Sequence, residues 1–132
     1  MGSLFSKKQK TKRVLLLGLD GAGKSTILQN MMTSPNQSQT YPTIGFNVER
    51  IQYDQSDYEL WDIGGQSKLR SFWSNHFIST KVIAFVVDSN DVDRLAEAKT
   101  AFDGIIDDNR TCQISIILIA NKQDLPHVSL RV

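Results

Sequence analysis

The segment "GLDGAGKST" at 18–26 holds the residues best suited to chemistry, and it fits the phosphate-loop pattern G-x-x-x-x-G-K-[S/T]. Glycines let backbone N–H groups curl around a phosphate, and a following helix adds its positive dipole. The Lys24 side chain can reach the outer phosphates, and the Ser25 hydroxyl can bind Mg²⁺. A glycine-rich turn from strand to helix is the structural alternative. The predicted nucleotide contacts here are Asp20, Gly21, Ala22, Gly23, Lys24, Ser25 and Thr26.

A second candidate lies downstream, where Asn121, Lys122 and Asp124 directly follow an apolar run. A carboxylate such as Asp124 can accept two hydrogen bonds from the N1–H and exocyclic amine of guanine, whereas adenine offers no such pair of donors. A solvated loop acid or a helix cap is the alternative role for Asp124. The motif therefore favours guanine over adenine and disfavours an ATP-using phosphate-loop enzyme.

The third candidate is "WDIGGQ" at 61–66. Asp62 ends a predicted strand and can hold Mg²⁺ through water, and the Gly65 N–H can meet a γ-phosphate. Gln66 follows at once, and its amide can orient an attacking water, which would make it the catalytic residue. A β-turn with an exposed glutamine is the alternative, but three such motifs at successive strand ends favour the nucleotide site.

Three unbroken apolar runs predict the strands that position these motifs. They do not alternate with polar residues, and each leads into polar or glycine residues, as expected of parallel strands covered on both faces. Because the carboxyl ends of parallel strands share one edge of a sheet, the phosphate loop and Asn121–Asp124 should meet there. The runs occupy 14–19, 82–87 and 114–120.

Two further runs, "FNVERIQY" and "DYELWDI", alternate better and flank a turn at 54–56, which predicts an antiparallel hairpin. Strands alternating with helices predict an α/β fold with a doubly wound, mostly parallel sheet that carries one antiparallel hairpin strand. Helical periods lie at 23–32, near 67–77 and at 91–108, where Asp91 is placed to cap the helix.

Composition bounds the class of protein. The chain has 132 residues, 40% of them hydrophobic, which suits one globular domain. No apolar run approaches the ~20 residues of a membrane span, and we expect a cytoplasmic protein. Cys112 is the one cysteine, so no internal disulfide is expected.

Charge is divided unequally along the chain. Five of the fifteen basic residues lie within residues 1–13, which contain no acid and are here called the basic arm. The remainder holds ten basic and fourteen acidic residues, a net charge of −4. A basic arm on a mildly acidic domain argues against nucleic-acid binding and for a separate partner of the arm.

With these motifs assembled, the chain resembles the Arf and Arf-like small GTPases of the Ras superfamily from Val14 to Pro126. The resemblance implies a P-loop NTPase fold and a switch that binds GTP or GDP with Mg²⁺. It also implies that loops 33–46 and 62–77 are ordered by the γ-phosphate and relax on hydrolysis. The stretches that carry it are "GLDGAGKST", "PTIGFNVE" (42–49), "WDIGGQ", "FVVDSND" (85–91) and "NKQDLP" (121–126).

The same resemblance implies roles for further residues. Thr43 would sense the γ-phosphate and complete the Mg²⁺ shell with Ser25. Phe46, Trp61 and His76 match the family's effector-facing aromatic cluster, although a tyrosine is usual in place of His76, and a partly exposed helix histidine is the alternative. The implied partners are an exchange factor, a GTPase-activating protein and effectors in membrane trafficking, and we expect a monomer.

Arginine is absent from the phosphate loop and from the segment before Thr43. We therefore expect slow intrinsic hydrolysis that depends on an arginine supplied by an activating protein, which is worth roughly 10³–10⁵ in rate.

The basic arm begins with a lipidation pattern. Met1 to Ser6 fit M-G-x-x-x-[S/T], with Gly2 as the acceptor of a myristoyl group. One myristoyl chain binds membranes marginally, at about 10⁴ M⁻¹, so the five basic residues would supply the second signal. This predicts reversible association with the Golgi or another endomembrane. A solvated basic arm or a localisation signal is the alternative.

The end of the chain is the largest departure from the family, whose members continue through a sixth strand and a final helix. From this we expect an incomplete GTPase domain over 14–132, as in a truncated or spliced product, with one helix alone covering one sheet face and the strand at 114–120 unprotected. The alternative function is a truncated, non-cycling form that acts only by binding partners or membranes.

Overall fold

The computed structural model describes residues 10–32 and 45–125 of the chain. The predictions for Gly2, Thr43 and most of the basic arm lie outside these residues. The described part contains five strands, two α-helices and three 3₁₀-helices. The strands are β1 (Lys12–Leu17), β2 (Phe46–Tyr53), β3 (Ser56–Ile63), β4 (Thr80–Asp88) and β5 (Ser115–Asn121). The α-helices are α1 (Lys24–Met31) and α2 (Leu95–Ile106), and the 3₁₀-helices are Ser67–His76, Val92–Arg94 and Asn109–Thr111.

The strands form one sheet in the order β2-β3-β1-β4-β5. Every neighbouring pair is parallel except β2 and β3, which are antiparallel. This confirms the predicted α/β fold with one antiparallel hairpin strand. The hairpin turns at Asp54 and Gln55, which both have positive φ, as two-residue hairpin turns that match the twist of a sheet require.

Two helical segments differ from the sequence prediction. The segment near 67–77 is a 3₁₀-helix, and the segment at 91–108 divides into the short 3₁₀-helix Val92–Arg94 followed by α2. The prediction that Asp91 caps a helix through its side chain is wrong. The Asp91 carboxylate instead accepts a hydrogen bond from Nε of Arg94 at 2.8 Å, because a charged guanidinium is a stronger donor than a backbone N–H.

Each face of the sheet carries its own apolar cluster. The larger cluster lies beneath α2 and the 3₁₀-helix Ser67–His76, and its members include Leu15, Phe85 and Trp73. On the other face Leu28 of α1 packs with a smaller cluster, Leu16, Leu60 and Ala84. Within the described residues α1 is the one helix on that face, as the sequence predicted.

The β5 edge of the sheet is partly uncovered. Among the described residues β5 pairs with β4 alone, and its neighbouring side chains Ile117 and Leu118 are each about half exposed. The described part of the chain contains no helix that is long and apolar enough to cross a membrane.

Because α1 is the one described helix that covers the smaller cluster, its buried leucine should contribute much of the stability of that face. Leu28 is 2% exposed, so we expect Leu28→Ala to lower the free energy of unfolding by about 2–4 kcal/mol. Met31→Ala on the same helix is the matched control, because Met31 is 52% exposed and should cost less than about 0.5 kcal/mol. Urea unfolding measures both, and equal losses would contradict the assignment of this face.

Candidate functional site

Residues 18–25, the loop between β1 and α1 with the first two residues of α1, lie at the carboxyl edge of the sheet and are called the phosphate loop below. Gly18, Gly21 and Gly23 have φ angles of 145°, 77° and 99°, which side chains rarely permit. Gly23 directly precedes α1 in the left-handed conformation. The glycine spacing of the motif therefore matches three positions that need backbone freedom.

Glycine is also required here because the phosphate loop is crowded from two sides. A Cβ at Gly18 would overlap the backbone carbonyl of Val86 on β4. A Cβ at Gly65 would overlap the backbone of the phosphate loop from Gly18 to Asp20. The "WDIGGQ" segment and the phosphate loop are thus in backbone contact, as their positions at neighbouring strand ends predict.

Lys24 begins α1 and points back into the loop. Its side chain is buried, and Nζ donates to the carbonyl oxygens of Gly18 at 2.9 Å and Leu19 at 3.1 Å. Burial lowers the pKa of Lys24 to about 8, although the negative charges of Asp62 and Asp20 partly oppose that shift. An anion bound in the loop would favour the charged ammonium, because its negative charge would replace the stabilisation by water that Lys24 loses on burial.

Ser25 and Asp62, two of the predicted Mg²⁺ residues, are in contact. The Ser25 hydroxyl donates to a carboxylate oxygen of Asp62, which is 1% exposed. A hydroxyl beside one buried carboxylate suits Mg²⁺, which typically takes one or two carboxylates and completes its shell with phosphate oxygens and water. Among the described residues, no group of three or more His, Cys, Asp or Glu side chains could hold a metal.

Three side chains hold the phosphate loop from outside through three successive carbonyl groups. Asn121 Nδ2 donates to the Ala22 carbonyl at 2.9 Å, and Lys122 Nζ donates to the Gly21 carbonyl at 2.8 Å. Arg94 Nη2 donates to the Asp20 carbonyl at 2.7 Å. Asn121 and Lys122, predicted from sequence as nucleotide contacts, therefore also support the loop.

The Lys122 ammonium is shared with β4. It lies 2.8 Å from Oδ2 of Asp88, the last residue of that strand. Burial by itself raises the pKa of Asp88, but hydrogen bonds from Lys122 and the Asn90 backbone outweigh it and hold the pKa below its usual value. Asp124 lies three residues beyond β5 and is exposed at the same edge of the sheet.

The backbone of Gly64 and Gly65 is oriented by specific donors. Trp73 Nε1 donates to the Gly64 carbonyl at 2.9 Å. Because a peptide is planar and trans, the Gly65 N–H points opposite to that carbonyl, away from the Trp73 indole. The Gly65 carbonyl in turn accepts from the Asp20 N–H at 3.2 Å and from Arg70 Nε at 2.8 Å. Gln66 follows this anchored pair and is partly buried.

The predicted effector residues Phe46, Trp61 and His76 form one aromatic cluster. The rings of Phe46 and Trp61 stack at 5.0 Å between centroids, and His76 lies 5.6 Å from each. The guanidinium of Arg13 lies 4.3 Å from the Trp61 ring centroid. Burial, and then the charge of Arg13, lowers the pKa of His76, so its imidazole is neutral at pH 7.

The sequence did not predict that Arg70 and Arg94 belong to this site. Both approach Asp20, with Arg94 Nη1 at 3.0 Å and Arg70 Nη2 at 3.7 Å from its Oδ1. Arg94 is 74 residues from Asp20 in sequence, and no motif spacing links the two. The one available signal was its position just past the carboxyl end of β4, the edge where ligands bind in such sheets.

Comparisons with known proteins agree on one family. The profile of the ADP-ribosylation factor family matches residues 1–130. ADP-ribosylation factor 3 of Arabidopsis thaliana and ADP-ribosylation factor 1 of Brassica rapa subsp. pekinensis are each 42% identical over alignments that cover 96% of this chain and 72% of the relative. The solved structure of the Arl6 BBS3 small GTPase from Trypanosoma brucei, bound to the nucleotide analogue GppNp, aligns with a TM-score of 0.80 at 28% identity. That alignment covers 90% of this chain and 72% of the other.

The backbone contact between Gly65 and the phosphate loop makes a substitution prediction. Gly65→Ala should lower the free energy of unfolding by about 3 kcal/mol, because its Cβ meets backbone atoms that cannot move aside cheaply. Gly104→Ala in α2 is the control, since no atom lies within 4 Å of its Cβ. Alanine there should stabilise the helix by about 0.5–1 kcal/mol. Denaturant unfolding compares them, and a neutral Gly65→Ala would disprove the close approach.

Proposed function

This chain belongs to the ADP-ribosylation factor family of GTP-binding small GTPases, and we propose that it is a switch that binds GTP or GDP with Mg²⁺. In this proposal Gln66 orients the water that slowly hydrolyses GTP. The nucleotide state then controls which effectors bind in membrane trafficking.

The phosphate loop carries the proposal. Its carbonyls at Asp20, Gly21 and Ala22 are each held from outside by a side chain, at 2.7 to 2.9 Å. Since each peptide N–H opposes the preceding carbonyl, the Gly21 and Gly23 N–H groups point away from those side chains and toward the inner side of the loop. Two inward N–H groups with the Lys24 ammonium beside them are suited to binding an anion.

Guanine is the base that suits the edge of this site. Asp124 follows β5 and is exposed, so its carboxylate is accessible to a base. Asn121 and Lys122 link that segment to the phosphate loop, so a base and a phosphate chain would contact one connected unit. The GppNp bound to the similar Arl6 structure supports a guanine nucleotide for this chain as well.

Mg²⁺ would be held by Ser25 and, through water, by Asp62, with Thr43 completing the shell when GTP is bound. The ion would neutralise charge on the outer phosphates. The contact between the Ser25 hydroxyl and the buried Asp62 carboxylate supports this assignment.

Neither nearby arginine is positioned to assist hydrolysis. Arg70 is held by the Gly65 carbonyl and by Glu97, whose Oε1 lies 2.6 Å from Nη1. Arg94 is held by Asp91 and Asp20. This supports the expectation that the catalytic arginine comes from a GTPase-activating protein, which acts beside Gln66.

The test is the nucleotide bound to the purified chain. We expect guanine nucleotide to co-purify, and GDP or GTP with Mg²⁺ to raise the melting temperature while ATP does not. At a ligand concentration of 100 times Kd the gain is about 2.7 kcal/mol. Lys24→Ala should remove both effects, because no other described cation lies inside the loop.

Two further outcomes decide between cycling and non-cycling forms. Gln66→Leu should bind GTP as the native chain does yet retain it unhydrolysed, since leucine cannot orient water. If no nucleotide is retained, and partner or membrane binding is unchanged by Lys24→Ala, the alternative of a non-cycling binding module is correct instead.

The aromatic cluster is the proposed effector surface. Phe46 is half exposed and stacks on Trp61, so an apolar side chain of a partner can cover both rings. His76 adds a neutral imidazole at pH 7 where the family usually has a tyrosine.

We also propose reversible attachment to an anionic endomembrane through a myristoyl group on Gly2 and the basic arm. The described end of that arm continues into a groove at the amino-terminal edge of the sheet, here called the basic groove. Its lining includes Lys10, Lys12, Lys81 and Arg110 together with the exposed Ile78, and none of the described residues that line it is acidic. The three lysines of the groove extend the charge that the arm presents to a negative surface, whereas Asp108 at 2.7 Å offsets the charge of Arg110.

Binding to vesicles tests this surface. The myristoylated chain should bind phosphatidylcholine vesicles more tightly when they contain phosphatidylserine. Lys81→Gln should weaken that gain about fivefold, since one cation near an anionic surface contributes about 1 kcal/mol. Lys99→Gln is the control, because Lys99 lies on α2 outside the groove and pairs with Asp103. Equal losses in both variants, or no preference for phosphatidylserine, would rule the groove out.

A further inference from the structure

We propose that Arg94 is a positioning residue for the phosphate loop, one that fixes Asp20 and thereby sets how tightly nucleotide is held. The inference rests on the proposed function, because it assigns a role toward the same nucleotide site.

All three guanidinium nitrogens of Arg94 are engaged. Nη2 donates to the Asp20 backbone carbonyl at 2.7 Å, and Nη1 donates to its carboxylate at 3.0 Å. Nε donates to Asp91 at 2.8 Å, which fixes the plane of the guanidinium from its own turn. The planar guanidinium holds its N–H donors at fixed spacing, so it can hydrogen-bond the backbone carbonyl and the carboxylate of Asp20 together. A lysine ammonium has no such fixed pair of donors.

The grip on the carbonyl orients the peptide between Asp20 and Gly21. Gly21 has a φ of 77° and no side chain to resist rotation, so this peptide can flip readily unless its carbonyl is held. With the carbonyl held by Arg94, the Gly21 N–H faces the phosphate side. Asn121 and Lys122 secure the next two carbonyls in the same way, so Arg94 completes a continuous row.

The grip on the carboxylate removes an electrostatic conflict. Asp20 places a negative charge in a loop that we propose to bind a phosphate chain, and an unpaired carboxylate would repel it. Arg94 at 3.0 Å and Arg70 at 3.7 Å from Oδ1 offset that charge. The Asp20 N–H also donates to the Gly65 carbonyl, so a fixed Asp20 holds the two motifs in register.

Dissociation of fluorescent GDP from the Mg²⁺-loaded chain tests the inference. Arg94→Gln should raise the dissociation rate about tenfold, as expected for the loss of charge-assisted hydrogen bonds at a partly exposed site. Arg94→Lys keeps the charge but not the fork, so it should fall between the native chain and Arg94→Gln. Arg50→Gln is the matched control: Arg50 on β2 pairs with Glu59 on β3, and no described contact links it to the phosphate loop, so its rate should stay within about twofold.

A second readout separates positioning from catalysis and from general instability. Arg94 contacts neither Gln66 nor Asp62, so single-turnover hydrolysis of pre-bound GTP should be unchanged while dissociation accelerates. Unchanged dissociation in both Arg94 variants, or acceleration as large in Arg50→Gln, overturns the inference and leaves the proposed function standing. If the native chain itself binds no guanine nucleotide, the proposed function fails and this inference fails with it.

Discussion

The site depends on how closely the phosphate loop lies against the backbone around it. At Gly18 the chain passes the Val86 carbonyl, and at Gly65 a second segment lies directly on the loop, with no room for a Cβ at either position. At Gly23 the space that a Cβ would need is taken by the Asn121 amide, which holds the Ala22 carbonyl. Glycine at these three positions lets the ends of β1, β3, β4 and β5 meet around one loop.

This proximity creates an electrostatic arrangement that the loop needs. Loop carbonyls directed inward would repel an anion, so the three at residues 20–22 are drawn outward by Arg94, Lys122 and Asn121. On the inner side Lys24 is buried, which lowers its pKa to about 8 and leaves its charge poorly solvated. A bound phosphate would stabilise the Lys24 charge in place of the water that burial removed. The loop is therefore arranged to favour an anion before the ligand binds.

The sequence predicted those features that follow from local pattern. Unbroken apolar runs marked β1 and β4 because strands covered on both faces have no polar side, and the same pattern marked β5, which is partly uncovered among the described residues. Strand-end motifs could be placed at one edge because parallel strands share their direction. The hairpin turn at Asp54 and Gln55 was readable from polar residues between two alternating runs.

Features decided by tertiary contact were not predictable. The sequence predicts Asp91 as a helix cap, but its carboxylate binds the Arg94 guanidinium in preference to a backbone N–H. No sequence pattern predicts the contact of Arg94 with Asp20, because only the order of strands in the sheet brings the two residues together. The position of Asn121 and Lys122 after the third apolar run predicted them as nucleotide residues, while their bonds to loop carbonyls emerged from the geometry.

The arrangement of β3 shows how such a site can report to a surface. Side chains alternate along a strand, so Trp61 and Asp62 point to opposite faces of the sheet. Asp62 contacts Ser25 at the carboxyl edge of the sheet, while Trp61 stacks on Phe46 and lies 5.6 Å from His76 in the aromatic cluster. The Gly64 N–H also donates to the Gly45 carbonyl, which directly precedes Phe46. A shift of β3 at Asp62 therefore has to move Trp61, the adjacent residue, so the proposed Mg²⁺ site and the proposed effector surface are separated by a single peptide bond.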